Sequence, residues 1–414
     1  MRIKLISAKK YIIVKQVHNP KMFSERIRSL PPYLFADIDK RKREAERKGA
    51  DVIDLGIGDP DLPTPPHIVE AVCRAAKDPS NHCYPTYEGM LSFREAVAAW
   101  YNREKHVRLD AEDEVLTLIG SKEGIAHSAF AFLDHGDVAL VPDPAYPVYN
   151  NATVLADGIP HLMPLQQENE FKPVLNDIDR ETASKAKVMF LNYPNNPTAA
   201  TVDKTFFKEV VDFAREHDIV ILHDNPYSEL TFDGYEAPSF LAVAGADEVG
   251  IEFNSLSKTY NMTGWRIGYA VGNSELLKGL GLVKTNIDSG AFQAVQIAGT
   301  TALTGPQDCI TANVAVYRQR RDILFDALSS AGMEVKKPKA TFYLWAKVPP
   351  GFSSIQFSMF LLEREGLVVT PGIGFGENGE GFVRFSLCVS VERLKEACER
   401  IKGLDNEKTK RRLF

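Results

Sequence analysis

A series of short apolar runs, "DVALVPDP", "AKVMFLNYP", "IVILHDNP" and "VGIEFNSL", constrains the fold of this chain more than any other feature. None alternates apolar with polar residues, as a strand with one wet face would, so both faces of each must be covered. Turn-forming residues bound each run, and helical patterns separate them. In "DKTFFKEVVDFAREHD", for example, Phe206, Phe207, Val210, Val211 and Phe213 fall on one broad stripe. Strand and helix in alternation predict an α/β fold around a mostly parallel central sheet.

The pattern changes after residue 306. A long helix over "QDCITANVAVYRQRRDILFDALSSAG" leads to "ATFYLWAKV", a helix around "SIQFSMFLLEREG", then "GLVVTPG", "GFVRFSL" and a closing helix "VERLKEACERIKGL". This predicts a second, smaller α+β domain. The expected division is an N-terminal arm and part of the small domain in residues 1–60, a large domain in 61–306 and the C-terminal small domain in 307–414.

Composition narrows the function. The chain of 414 residues is 44% hydrophobic and 25% charged, a globular balance. Its net charge of −6 leaves no basic footprint for nucleic acid. No apolar stretch approaches the roughly 18 residues that cross a membrane. The start lacks the features of a secretory signal, so a cytoplasmic location is expected. Five scattered cysteines show neither CxxC pairing nor metal-ligand spacing, and no metal site is expected.

Open parallel sheets collect ligands at the carboxyl ends of their strands. Here those ends carry Asn196, then Asp224 and Tyr227, then Ser255, Ser257 and Lys258. Each alone has an ordinary explanation as a cap, a turn or a solvated charge. Together they suit pyridoxal phosphate (PLP), which needs an amine to condense with its aldehyde and a carboxylate to keep its ring nitrogen protonated. Asn196 and Tyr227 offer hydrogen-bond donors to the phenolic oxygen. The phosphate needs N–H groups, hydroxyls and a cation. "LIGSKEGIAHSAFAFL" reads as a strand, a glycine turn and a helix starting near Ser121, an anion site by its N-terminal N–H groups. Ser255, Ser257 and Arg266 complete it, the guanidinium with a two-pronged contact.

The ordered set "GSKEG", "PDPAYPVY", "NYPNNPT", "HDNPY", "SLSKTYNMTGWRIG" and "GFVRFSL" resembles the class I/II aminotransferases of PLP fold type I, over roughly residues 50 to 400. The resemblance implies covalent attachment of PLP at Lys258, which then moves the substrate proton. It also implies pairing of Asp224 with the ring nitrogen, a ring stacked on the cofactor from Tyr146, and Ser121, Lys122, Ser255, Ser257 and Arg266 around the phosphate. By the same resemblance Arg384 grips the substrate α-carboxylate, helped by the backbone at Gly58, and Tyr84 reaches the phosphate of the neighbouring subunit in a homodimer with shared sites. The partners implied are an amino acid and a 2-oxo acid. Two positions depart from the pattern: Ala199 where glycine often follows "NPT", which should alter the turn but not the chemistry, and Lys122 where a small residue or threonine is common.

"DLGIGDPDLPTPPHIVEA" and "VVTPGIGFGENGEGFVRFSL" are similar to segments of members that act on LL-diaminopimelate and 2-oxoglutarate. The alternatives are alanine, aspartate or aromatic substrates, or C–S lyase chemistry. Glu88 is a candidate for a distal ammonium, or else caps the helix that follows. "GFGENG" fits a dinucleotide fingerprint but runs into a strand instead of opening a helix, which favours a glycine-rich loop at the substrate entrance. His223 is expected to be packed or hydrogen-bonded rather than catalytic.

Overall fold

The computed structural model describes residues 22–31 and 34–402, so the first 21 residues of the expected N-terminal segment lie outside the described residues. In chain order the strands are β1 (Ile53–Asp54), β2 (Val115–Leu118), β3 (Val138–Asp143), β4 (Ile159–Pro164), β5 (Ala186–Asn192), β6 (Val220–Asp224), β7 (Gly250–Ser255), β8 (Gly268–Gly272), β9 (Tyr343–Lys347), β10 (Leu367–Val368), β11 (Thr370–Pro371) and β12 (Phe382–Ser386). Seven of them form one sheet in the order β2-β8-β7-β6-β5-β3-β4, in which only β8 runs against its neighbours.

Both faces of this sheet are covered, as the apolar runs require. Along β5, Val188 and Phe190 join one core while Met189 and Leu191 join the other. The helix Lys204–His217 shows how the covering forms. Asp203 caps it by accepting from the Phe206 N–H at 3.0 Å, and Asp218 ends it in the left-handed conformation. Phe206, Phe207, Val210, Val211 and Ala214 are buried, and each large side chain among them contributes roughly 1.5–3 kcal/mol. Phe213, expected on this stripe, is only partly buried. One position before the buried Ala214, it is turned by about 100° from that residue and lies at the edge of the stripe.

A third core surrounds the antiparallel sheet β11-β12-β9 and the helices Asp308–Ser330 and Val391–Lys402. β1 pairs with β10, Ile53 against Leu367, so the segment after residue 50 is stitched to this second unit before the chain enters the first.

Register sets the site. Asn192 lies opposite Asp224, Asp224 opposite Phe253, and Ser255 opposite Gly268, which itself pairs with Leu118. The carboxyl ends of β2, β5, β6 and β7 therefore meet at one edge, and reversed β8 brings Arg266 to the same edge.

Candidate active site

At that edge a cavity of about 340 Å³ is lined by every sequence-predicted site residue except Tyr84 and the candidate Glu88. Lys258 sits in the short helix Leu256–Thr259, whose start is capped by Ser255 Oγ accepting from the Ser257 N–H at 3.2 Å. Its amine donates to the Gly58 carbonyl at 3.2 Å. Burial, with Arg266 and Arg384 nearby, lowers its pKa from the usual lysine value.

Asp224 ends β6 with its carboxyl buried. One oxygen, Oδ2, accepts from the Tyr149 hydroxyl at 2.7 Å, whereas Oδ1 has no hydrogen-bond partner among the described residues. Burial pushes the carboxyl up to about 6, against the Tyr149 hydrogen bond and the charges of His223 and Lys258, which pull it down. Asn192 fixes the surroundings: its amide donates to the Asp224 carbonyl at 2.7 Å, and its oxygen accepts the Asn196 N–H at 2.7 Å.

Arg384, on β12, is 4% exposed. It donates to Asn196 Oδ1 at 2.6 Å and to the Gly56 carbonyl at 2.7 Å, while its Nε has no partner among the described residues. The guanidinium lies 4.1 Å from the Tyr343 ring and 4.7 Å from that of Phe375. Tyr227 and Tyr343 share a hydrogen bond between hydroxyls at 3.3 Å. A Cβ on Gly58 would fall 1.9 Å from that Tyr343 hydroxyl, so only glycine admits the chain here.

Ser121 and exposed Lys122 open the helix Ser121–Phe132, with the Lys122 ammonium 5.7 Å from the Tyr146 ring. Gly120, at φ 78°, precedes it; a Cβ there would meet Arg266 Nη2 at 2.2 Å. Arg266 donates to the Thr263 carbonyl at 2.8 Å. The lining thus holds Lys122, Lys258, Arg266 and Arg384 against one carboxylate, Asp224, a charge balance suited to an anionic ligand.

Tyr84 lies apart, 85% exposed. Glu88 is exposed as well and caps nothing: the helix Leu91–Trp100 starts after Met90, with no side-chain cap. Tyr149, Asn192, Tyr343 and Phe375 line the cavity without having been singled out. The first two lie inside the motifs "PDPAYPVY" and "NYPNNPT"; Tyr343 was legible only as part of a strand, and Phe375 belongs to "GFGENG". That run forms two short turns, Gly372–Phe375 and Glu377–Gly379, before β12, and so opens no helix for a dinucleotide.

His223 is fully buried between Glu252 at 3.1 Å and the Tyr193 carbonyl at 3.1 Å, on the face of β6 away from Asp224. The histidines do show one grouping that spacing hid: His127 meets Glu123 at 2.6 Å and Asp288 at 4.0 Å. The buried Lys284 ammonium, 2.8 Å from Asp288, already supplies a cation there.

The family model for aminotransferase class I and II matches residues 50–401. The chain belongs to that family. It is 56% identical to an LL-diaminopimelate aminotransferase of Syntrophobacter fumaroxidans and 55% identical to that of Moorella thermoacetica, each alignment covering 92% of this chain and 98% or 97% of the relative. Among solved structures it is similar to substrate-bound BacF from Bacillus subtilis, with a TM-score of 0.89 and 39% identity over 92% of this chain and 98% of that one. The aminotransferase accordingly has the α/β architecture of the family.

Proposed function

We propose that this aminotransferase moves the amino group of LL-diaminopimelate to 2-oxoglutarate, using PLP held in the cavity. The identity above half to LL-diaminopimelate aminotransferases, over nearly the whole of both chains, carries the substrate assignment. It exceeds the identity to the solved aspartate aminotransferase of Thermus thermophilus, which is 30%.

The donor set fits the cofactor. Asp224 presents a buried oxygen without a partner among the described residues, the acceptor a protonated ring nitrogen needs. Lys258 has a lowered pKa and one weak hydrogen bond, so its amine is available for covalent attachment. Ser121, Lys122, Ser255, Ser257 and Arg266 would hold the phosphate, Asn196 and Tyr227 the phenolic oxygen, and Tyr146 would pack on the ring. Bound there, PLP supplies an electron-withdrawing ring that stabilises negative charge at the substrate Cα.

The chain's own residues do the rest. Arg384 binds the α-carboxylate with its Nε side and fixes the Cα hydrogen relative to Lys258. The Lys258 amine takes that proton from Cα and returns it across the C–N bond, a 1,3-shift, and burial, which lowers the amine's pKa, favours the neutral base this needs. Tyr84 acts in the site of a second copy, and the enzyme works as a cytoplasmic homodimer. Consistent with this, the cysteines are all free, and among the described residues no helix is long and apolar enough to cross a membrane.

The test is an absorption titration of the PLP-loaded protein with LL-diaminopimelate, glutamate, alanine and aspartate in turn. Loss of the visible cofactor band with the first two alone is expected. Bleaching by alanine or aspartate but not by diaminopimelate would remove the substrate assignment, and turnover by Lys258→Ala would remove the lysine.

A further inference from the structure

The glycine-rich run Gly374–Gly379 bridges the two units. From the large unit, Asp143 stands at the carboxyl end of β3, and its Oδ2 accepts from the Asn378 side chain at 2.7 Å and the Asn378 N–H at 3.3 Å. Gly376 passes at φ 134°, so close that a Cβ would fall 1.7 Å from Asp143 Oδ1. Beside them the Ala145 N–H donates to the Phe375 carbonyl at 2.8 Å. Asp143 is 1% exposed, and burial pushes its carboxyl up while Asn378 pulls it down. A buried carboxylate outside the cavity lining, spent on one loop, calls for a reason.

The loop's other contact supplies it. Phe375 lies against the Arg384 guanidinium, which the Tyr343 ring also contacts. The hydrogen bonds to Asn196 and Gly56 set the direction of that guanidinium within its plane, and the rings set the tilt of the plane. Cation–π contact of this kind gains strength in a buried site.

We propose that Asp143 is a positioning residue for substrate carboxylate binding: by anchoring Gly376 and Asn378 it seats Phe375 against Arg384 and fixes the guanidinium. The proposal rests on Arg384 as the carboxylate ligand. It makes binding of the α-carboxylate depend on the two units being joined at this loop, since Asp143 belongs to one and Arg384 to the other.

The test uses PLP-loaded enzyme carrying Asn378→Ala, Phe375→Leu, Gly376→Ala or, as benchmark, Arg384→Lys. Binding is followed by the cofactor absorbance with 2-methylglutamate, which has the α-carboxylate but no Cα proton. Asn378→Ala and Phe375→Leu are each expected to weaken binding about tenfold, the scale of one charge-assisted hydrogen bond for the first and of one buried cation–π contact for the second. KM for amino acid and oxo acid should rise together while kcat stays within about twofold, the pattern of lost uniform binding. A merely structural link would instead lower the denaturation midpoint and leave KM in place. Should Gly376→Ala fail to fold, Asn378→Ala still decides. Binding within about twofold of wild type in Asn378→Ala and Phe375→Leu, with Arg384→Lys weakened, overturns the proposal. If Arg384→Lys binds normally, the reading of Arg384 falls and the proposal with it.

Discussion

The Asp224 carboxyl takes one hydrogen bond among the described residues, from Tyr149. That bond favours the ionised form, so Tyr149→Phe should raise the Asp224 pKa further above its value of about 6. An ionised Asp224 is what a protonated ring nitrogen needs. The affinity for PLP should therefore fall off on acidification from a higher pH in the variant than in the wild type, which fluorescence titration at a series of pH values would read. An unmoved acid limb would separate Tyr149 from the function of Asp224. A second residue carries strain: Ala199 sits at φ 56°, in the left-handed region, next to the turn that Asn195 builds by accepting from Thr198. Ala199→Gly should stabilise the protein by roughly 0.5–1 kcal/mol, because the relief of left-handed strain exceeds the glycine's added unfolded entropy. Urea denaturation would show it, and a loss of stability would mean the turn does not store that strain. The residues read from the sequence were those whose chemistry is rare at a strand end, such as Lys258 and Asp224. Tyr149 and Asn192 escaped because a tyrosine and an asparagine in a turn-rich segment look like packing and turn residues until a partner across the sheet is known.

At the scale of elements, the runs that became β3, β5, β6 and β7 were legible because burial on both faces leaves an unbroken apolar signature. β1 and β10, two residues each, leave none; only their pairing across the chain reveals them. Glu252 in β7 was equally hidden, a charge inside an apolar run. It is fully buried and takes hydrogen bonds from Tyr101, Asn225, Ser239 and the Phe240 N–H, with His223 alongside, which together tie β6 and β7 to the elements behind them. Those donors, led by His223, outweigh burial and lower its carboxyl to about 2. A carboxyl depressed on folding contributes stability that is present above its unfolded pKa, near 4.3, and lost as pH falls toward the folded value. Glu252→Gln should thus cost about 2–4 kcal/mol at neutral pH, since it leaves buried donors unpaired. The difference from wild type should shrink between about pH 4 and pH 2. Urea midpoints for both proteins across that range would show the convergence; a pH-independent gap would mean that Glu252 is not ionised in the fold.

For the whole molecule, the two units are joined by more than the loop at Asp143. Arg320, 3% exposed, pairs with both oxygens of Asp61 at 2.6 and 2.8 Å, holding the segment that follows Gly58 against the helix Asp308–Ser330. Away from this joint lie three exposed rings, Tyr84 at 85%, Tyr87 at 46% and Phe292 at 45%, on segments linked by the Gln293 amide donating to the Cys83 carbonyl at 3.0 Å. Exposed aromatic surface of this kind marks an interface. In the proposed dimer this patch meets the second copy, and Tyr84 from each chain completes the site of the other. Shared sites make a complementation experiment decisive. In a hybrid of Lys258→Ala and Tyr84→Phe chains, one site takes both defects and the other takes neither, as the symmetry of a two-fold dimer requires. Random reassociation of equal amounts yields hybrids as about half of the dimers, each with one intact site, so activity should recover to about a quarter of wild type. Sites contained within single chains would give no intact site in any hybrid, and mixing would then add nothing to the activities of the two variants measured apart.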